Sequence, residues 1–91
     1  MSLSMKTEGQ DVHHVSLNLL LPGDRGTVES VSLLQGDVRR RLLEMGLTKG
    51  IRVEFIRSAP MGDPIEVRVG GFRLSLRRTE AEGVLVEKET A

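Results

Sequence analysis

The chain contains no cysteine, tryptophan or tyrosine, and only two phenylalanines among its 91 residues. Without cysteine there is no disulfide framework, no thiolate nucleophile and no Cys-ligated zinc or iron–sulfur centre. With so few rings, the core must be built from Val, Leu, Ile and Met. The same scarcity argues against a single-stranded nucleic-acid platform, which stacks bases on exposed aromatics. Long apolar runs are missing too: Leu19-Leu20-Leu21 falls far short of the roughly 20 residues that span a bilayer as a helix. The expectation is a soluble, cytoplasmic protein.

A net charge of either sign is also absent, with 13 Lys and Arg against 13 Asp and Glu. The charge is nevertheless unevenly placed. Residues 23–78 hold eleven Lys and Arg but seven Asp and Glu, so the body is mildly basic and the ends acidic. That surplus suits encounter with an acidic partner and is thin for nucleic acid, where several phosphate contacts dominate affinity. No nucleic-acid partner is expected.

What the chain does have is enough residues for one domain that buries about 60–65% of its unfolded surface. Its 38% hydrophobic content, with ten glycines besides, is ordinary for a globular fold. Residues 1–14 show no periodicity and read as a flexible leader, residues 15–88 as the folded body and 89–91 as a tail.

Within the body, glycine and proline punctuate the pattern. Residues 17–21 read as a first strand entering a turn at Pro22-Gly23, where Pro presets φ and Gly takes a positive φ cheaply. Val28 and Val31 are inward candidates on the next strand. Asp37 is placed to cap a short helix, along which Val38, Leu42 and Met45 recur at i, i+4 and i+7 before Gly46 stops it. Ile51, Val53 and Phe55 then alternate as a strand.

Turn residues at Gly50, Gly62, Asp63 and Pro64 bound the next segments, with Asp63 expected to bond local backbone N–H groups. Ile65, Val67 and Val69 alternate up to Gly70-Gly71, and Phe72, Leu74 and Leu76 alternate after it. A two-residue turn there sets Val69 opposite Phe72, Val67 opposite Leu74 and Ile65 opposite Leu76, with all six side chains on one face. Residues 77–81 read as a tight or single helical turn before a last strand at Val84-Leu85-Val86. The pattern is mainly β: a small barrel with one short α-helix.

Four segments carry a likeness: Leu17-Asn18-Leu19-Leu20-Leu21-Pro22-Gly23, Arg41-Leu42-Leu43-Glu44-Met45-Gly46-Leu47 with Gly50, Ala59-Pro60-Met61-Gly62-Asp63-Pro64-Ile65, and Leu76-Arg77-Arg78-Thr79-Glu80-Ala81. In that order and spacing the chain resembles the ferrous iron transport protein A (FeoA) family. The resemblance implies an SH3-like β-barrel and a non-catalytic accessory role in ferrous iron uptake. The implied partner is the cytosolic part of a membrane GTPase transporter of the FeoB type, which would recruit the protein to the inner face of the membrane. A similar domain at the C-terminus of iron-dependent repressors implies the alternative, a domain that binds or senses a transition metal ion.

Candidate site residues are few. Arg39 and Arg40 begin the helix as cations where its dipole disfavours them. They are either a solvated face or contacts for an acidic partner. Arg41 is expected to pack or bond inward. Met61 between Pro60 and Pro64 is either a docking knob or a cover for one end of the barrel, and Leu47 completes the expected partner surface.

His13 and His14 are the metal candidates, although neighbours on an extended chain point apart and an exposed, disordered pair is the plainer reading. The carboxylates are scattered, and no spacing recommends a set. Arg68 should lie opposite Arg73, each splayed into water, paired with Glu54 and Glu66, or turned to an anionic partner. Open strand edges would permit a homodimer. No nucleophile–base pair or Walker pattern is present, so an enzyme is not expected.

Overall fold

The computed structural model describes residues 13–89. Its elements run β1 (His13–Ser16), one 3-10 turn (Leu17–Leu19), β2 (Arg25–Ser30), α1 (Gly36–Glu44), β3 (Arg52–Ser58), β4 (Ile65–Val69), β5 (Phe72–Leu76), a helical turn α2 (Arg78–Ala81) and β6 (Leu85–Lys88). The strands make one antiparallel sheet in the order β1-β6-β2-β3-β4-β5. It wraps the single core expected of a small barrel.

Alternation decides which face each strand buries. Val53 and Phe55 on β3, with Ile65, Val67 and Val69 on β4, are buried, while Arg52 just before Val53 and Arg68 between Val67 and Val69 face water. Leu17, Leu42, Leu47, Leu76, Val84 and Val86 join them, and Phe55 is the one aromatic ring inside. No charged side chain is buried among the described residues. Val28 and Val31 are inward, as their spacing predicts.

The hairpin has the predicted register, Val69 against Phe72, Val67 against Leu74, Ile65 against Leu76 and Arg68 against Arg73. Phe72 shares the inner face by register yet is 73% exposed. It follows directly on the turn, at the end of the ladder, where nothing packs over it.

Two expectations about the first strand and its leader are corrected. Residues 17–21 do not form a strand; β1 ends at Ser16 and a 3-10 turn follows. Leu17 and Leu20 are the buried pair while Leu19 and Leu21 are each 66% exposed, a spacing of three that suits a 3-10 turn rather than the two of a strand. His13 and His14 are ordered in β1, where β6 supplies their ladder partners Lys88 and Glu87. The rest of the expected leader, residues 1–12, and residues 90–91 lie outside the described residues. Glu89, expected in the tail, donates its N–H to the Arg25 carbonyl at 2.8 Å.

Helix α1 starts two residues earlier than an Asp37 cap requires, so Asp37 lies in its first turn and accepts a hydrogen bond from Arg40 instead. At its far end Gly46, with φ +104°, donates to the Leu43 carbonyl at 3.0 Å. The Leu47 N–H reaches back to the Leu42 carbonyl at 3.0 Å. Those two bonds define a Schellman stop, in which the residue after the glycine packs on the helix it has just left. Leu42 and Leu47 are accordingly both fully buried. Gly23, Gly50 and Gly62 also take positive φ at the predicted turns.

Replacing Gly46 by Val forces a β-branched residue into the left-handed region, at roughly 1–2 kcal/mol. For a domain of this size that predicts a thermal midpoint lowered by about 4–8 °C or more. An unchanged midpoint by calorimetry would remove the Schellman assignment.

Candidate functional site

Arg78 organises one end of the barrel. Its Nε donates to the Gly62 carbonyl at 2.5 Å and its Nη1 to the Asn18 carbonyl at 2.9 Å. Its backbone N–H donates to Asp63 Oδ1 at 3.0 Å. One residue thereby ties α2 to the 3-10 turn and to the loop over residues 59–64. Asp63 is not the locally bonded turn residue expected, because its carboxylate serves a donor 15 residues away. On the 3-10 turn, Asn18 Oδ1 is the one buried side-chain polar atom without a hydrogen-bond partner among the described residues.

With the loop anchored from below, Met61 stands 93% exposed next to an exposed Pro60. That excludes the reading in which Met61 covers the barrel. Exposed Leu19 and Leu21 flank Leu20 in the segment that Arg78 also holds. Leu47 is corrected outright: it is 0% exposed as part of the helix stop and is unavailable to a partner.

Arg39 and Arg40 are both exposed on α1. Arg40 is paired at 2.5 Å with Asp37, and Arg39 has no ion pair among the described residues. Arg41 bridges α1 to α2 through Glu80, whose other oxygen accepts the Arg77 N–H at 3.0 Å. Arg41 and Glu80, with Pro64, Ser75 and Arg77, line a shallow groove of about 260 Å³ beside the loop.

The outer face of the hairpin is electrostatically settled. Arg68 lies 3.6 Å from Glu54 and Arg73 lies 3.3 Å from Glu66, which Arg57 also reaches at 2.8 Å. The Arg57 hydrogen bond chiefly holds the Glu66 carboxyl below its ordinary value of 4.5; the Arg73 bond adds to this and partial burial opposes it. Glu89 is lowered likewise by its hydrogen bond from Arg52. Glu54 and Glu66 thus partner the two arginines, one of the sequence-derived alternatives, and account for like charges facing each other across the ladder.

Of the two histidines, His14 belongs to a cluster. Its ring nitrogen and one carboxylate oxygen each of Glu29 and Glu87 lie within 4.8 Å of one another. Glu87 was not among the sequence candidates. It stands 73 residues from His14 and meets it only because β6 pairs with β1, a juxtaposition with no local signature.

The profile of the FeoA domain family matches residues 15–88. The solution structure of the FeoA protein from Chlorobium tepidum is 46% identical, with a TM-score of 0.76 over 80% of this chain and 69% of that one. The crystal structure of Stenotrophomonas maltophilia FeoA complexed with zinc, described as a prokaryotic SH3 domain protein, is 37% identical, with a TM-score of 0.70 over 80% of this chain and 93% of that one. A Porphyromonas gingivalis Fe(2+) transport protein A/Fe(2+) transporter FeoB fusion protein is 35% identical over 71 residues. That match takes in 78% of this chain but only 8% of the fusion.

Two measurements check the site's energetics. Arg78→Met removes both carbonyl bonds; hydrogen bonds from a charged donor contribute about 1.5–3 kcal/mol, so a loss of roughly 2 kcal/mol and faster amide exchange across residues 59–64 are expected. Unchanged exchange would mean that the loop is held by something else. Because Glu66 and Glu89 titrate below 4.5 in the fold, their contribution is present above that pH and is lost as pH falls through the lowered values. The thermal midpoint should therefore drop as the pH falls below 4.5, and a Glu66→Gln, Glu89→Gln variant should show a shallower slope. Equal slopes would count against these pairs.

Proposed function

Because the chain belongs to the FeoA domain family, with its place in ferrous iron transport, we propose that it is a non-catalytic accessory that binds the cytosolic part of a FeoB-type GTPase transporter. The observation that carries this reading is the Porphyromonas gingivalis fusion, in which a segment 35% identical to this chain shares one polypeptide with the transporter. Two proteins joined in one chain work at high effective concentration, which is useful only if they act together.

The surface agrees with a docking role. Met61 and Pro60 offer an apolar knob on a loop that Arg78 holds in place, and a thioether adapts to irregular partner surfaces. Arg39, without a counter-ion among the described residues, supplies a cation for an acidic patch, with Arg40 beside it. Among the described residues no helix is long and apolar enough to cross a membrane. Membrane association then follows from the transporter, at its cytoplasmic face.

Co-purification of the chain with the transporter, without and with a GTP analogue, tests the proposal. Saturable binding is expected, and dependence on the nucleotide would place the protein on the GTPase cycle. Met61→Asp and Arg39→Glu/Arg40→Glu should each weaken binding about tenfold or more, the range of an interface anchor. Full affinity in either variant would exclude that surface, and no binding in either nucleotide state would overturn the proposal.

A further inference from the structure

We propose that His14, Glu29 and Glu87 form a binding site for one divalent first-row transition metal ion on the outer face of the β1-β6-β2 sheet. Three adjacent strands each contribute one ligand. His14 on β1 is the direct ladder partner of Glu87 on β6, and Glu87 in turn lies opposite Thr27 on β2. The register of β2 against β6 shifts between Val28 and Ser30, leaving Glu29 out of the ladder as the extra residue of a bulge. Bulges of this kind re-aim a side chain, and here the side chain concerned is a carboxylate beside the other two ligands.

The distances suit an ion. The three ligand atoms lie within 4.8 Å of one another, while atoms bound tetrahedrally to one zinc-like ion at about 2.0–2.2 Å lie roughly 3.3–3.6 Å apart. Small rotations of the side chains draw the three atoms in to that separation, while strand pairing holds the backbone at His14 and Glu87. The cluster of one imidazole and two carboxylates also has suitable chemistry. Imidazole selects zinc, iron and nickel over magnesium and calcium, the two carboxylates match a divalent charge, and positions remain open for water.

A second observation is the pattern of ion pairs. Four carboxylates are carried by the strands: Glu29, Glu54, Glu66 and Glu87. Glu54 and Glu66 each have arginine partners at 2.8–3.6 Å. Glu87 has no ion pair among the described residues, although it faces a second carboxylate, Glu29, whose own partner Lys49 is distant at 3.9 Å. A sheet that neutralises its other acids leaves this pair to repel unless a cation joins them. Lys49 is the competing charge, and metal binding displaces it from Glu29.

This inference is independent of the transporter reading, and its test uses the full chain alone. Titration with Zn²⁺ by calorimetry should show one saturable equivalent. His14→Ala and Glu87→Gln should each lower the affinity at least tenfold, Glu29→Gln should weaken it, and Lys49→Met should tighten it. His13→Ala should leave it unchanged, which separates this site from a simple pair of neighbouring histidines. The changes at His14, Glu29, Lys49 and Glu87 are at the sheet surface or its flank, and an unaltered apo thermal midpoint verifies each fold. Absence of a saturable equivalent, or binding that survives both His14→Ala and Glu87→Gln, would overturn the proposal.

Discussion

The structure depends on where its last strand lies. β6 enters between β1 and β2, pairing antiparallel with both, so among the described residues the first strand has no other partner in the sheet. The fit is close: a Cβ on Gly26 would meet the Glu87 carbonyl oxygen at 2.8 Å, nearer than non-bonded atoms settle. Only a residue without a side chain lets the two backbones approach at this point. Val28 and Val86, opposed across the same pair of strands, then seal the core on its inner face, while His14, Glu87 and Glu29 meet on the outer one. Core and candidate metal cluster are thus two faces of one pairing.

A second tier of order comes from guanidinium groups. With hardly any aromatic residues to bridge elements, arginines take over that task at the periphery. Arg78 joins the 3-10 turn to the Met61 loop, and Arg41 joins α1 to α2. Arg57 and Arg73 share Glu66 across the hairpin. A planar fork with several donors is suited to this, since it satisfies two carbonyls or a carboxylate from one position. The apparent basic surplus of the body is therefore largely occupied with structure. Exposed pairs of this kind add little stability singly, but they fix where neighbouring loops stand, and Arg39 is among the described cations left without an ion pair.

How much of this the sequence discloses depends on the range of the interaction. The hairpin register, including the opposed arginines, was legible because Gly70-Gly71 sits between two alternating runs, and period and turn are both local. The end of α1 was legible for the same reason, although the fate of Leu47 required reading Gly46 as a Schellman stop and not merely as a breaker. Residues 17–21 misled because a run of leucines looks alike to a strand and a 3-10 turn until burial separates Leu17 and Leu20 from Leu19 and Leu21. Arg78 and Glu87 left no sign, since their roles rest on partners 15 to 73 residues away. Pairing at that separation is decided by the whole fold and not by neighbours along the chain.

The ladder that ends the domain also begins it: His13 lies opposite Lys88. The first and last strands of the described residues therefore begin and end side by side. A domain whose ends adjoin can be spliced into a larger polypeptide with little disturbance to either, because its host need open only one gap. Modularity of this sort is a property of geometry rather than of any residue. It suits a domain to being carried within a longer chain, as the similar segment is in the Porphyromonas gingivalis fusion.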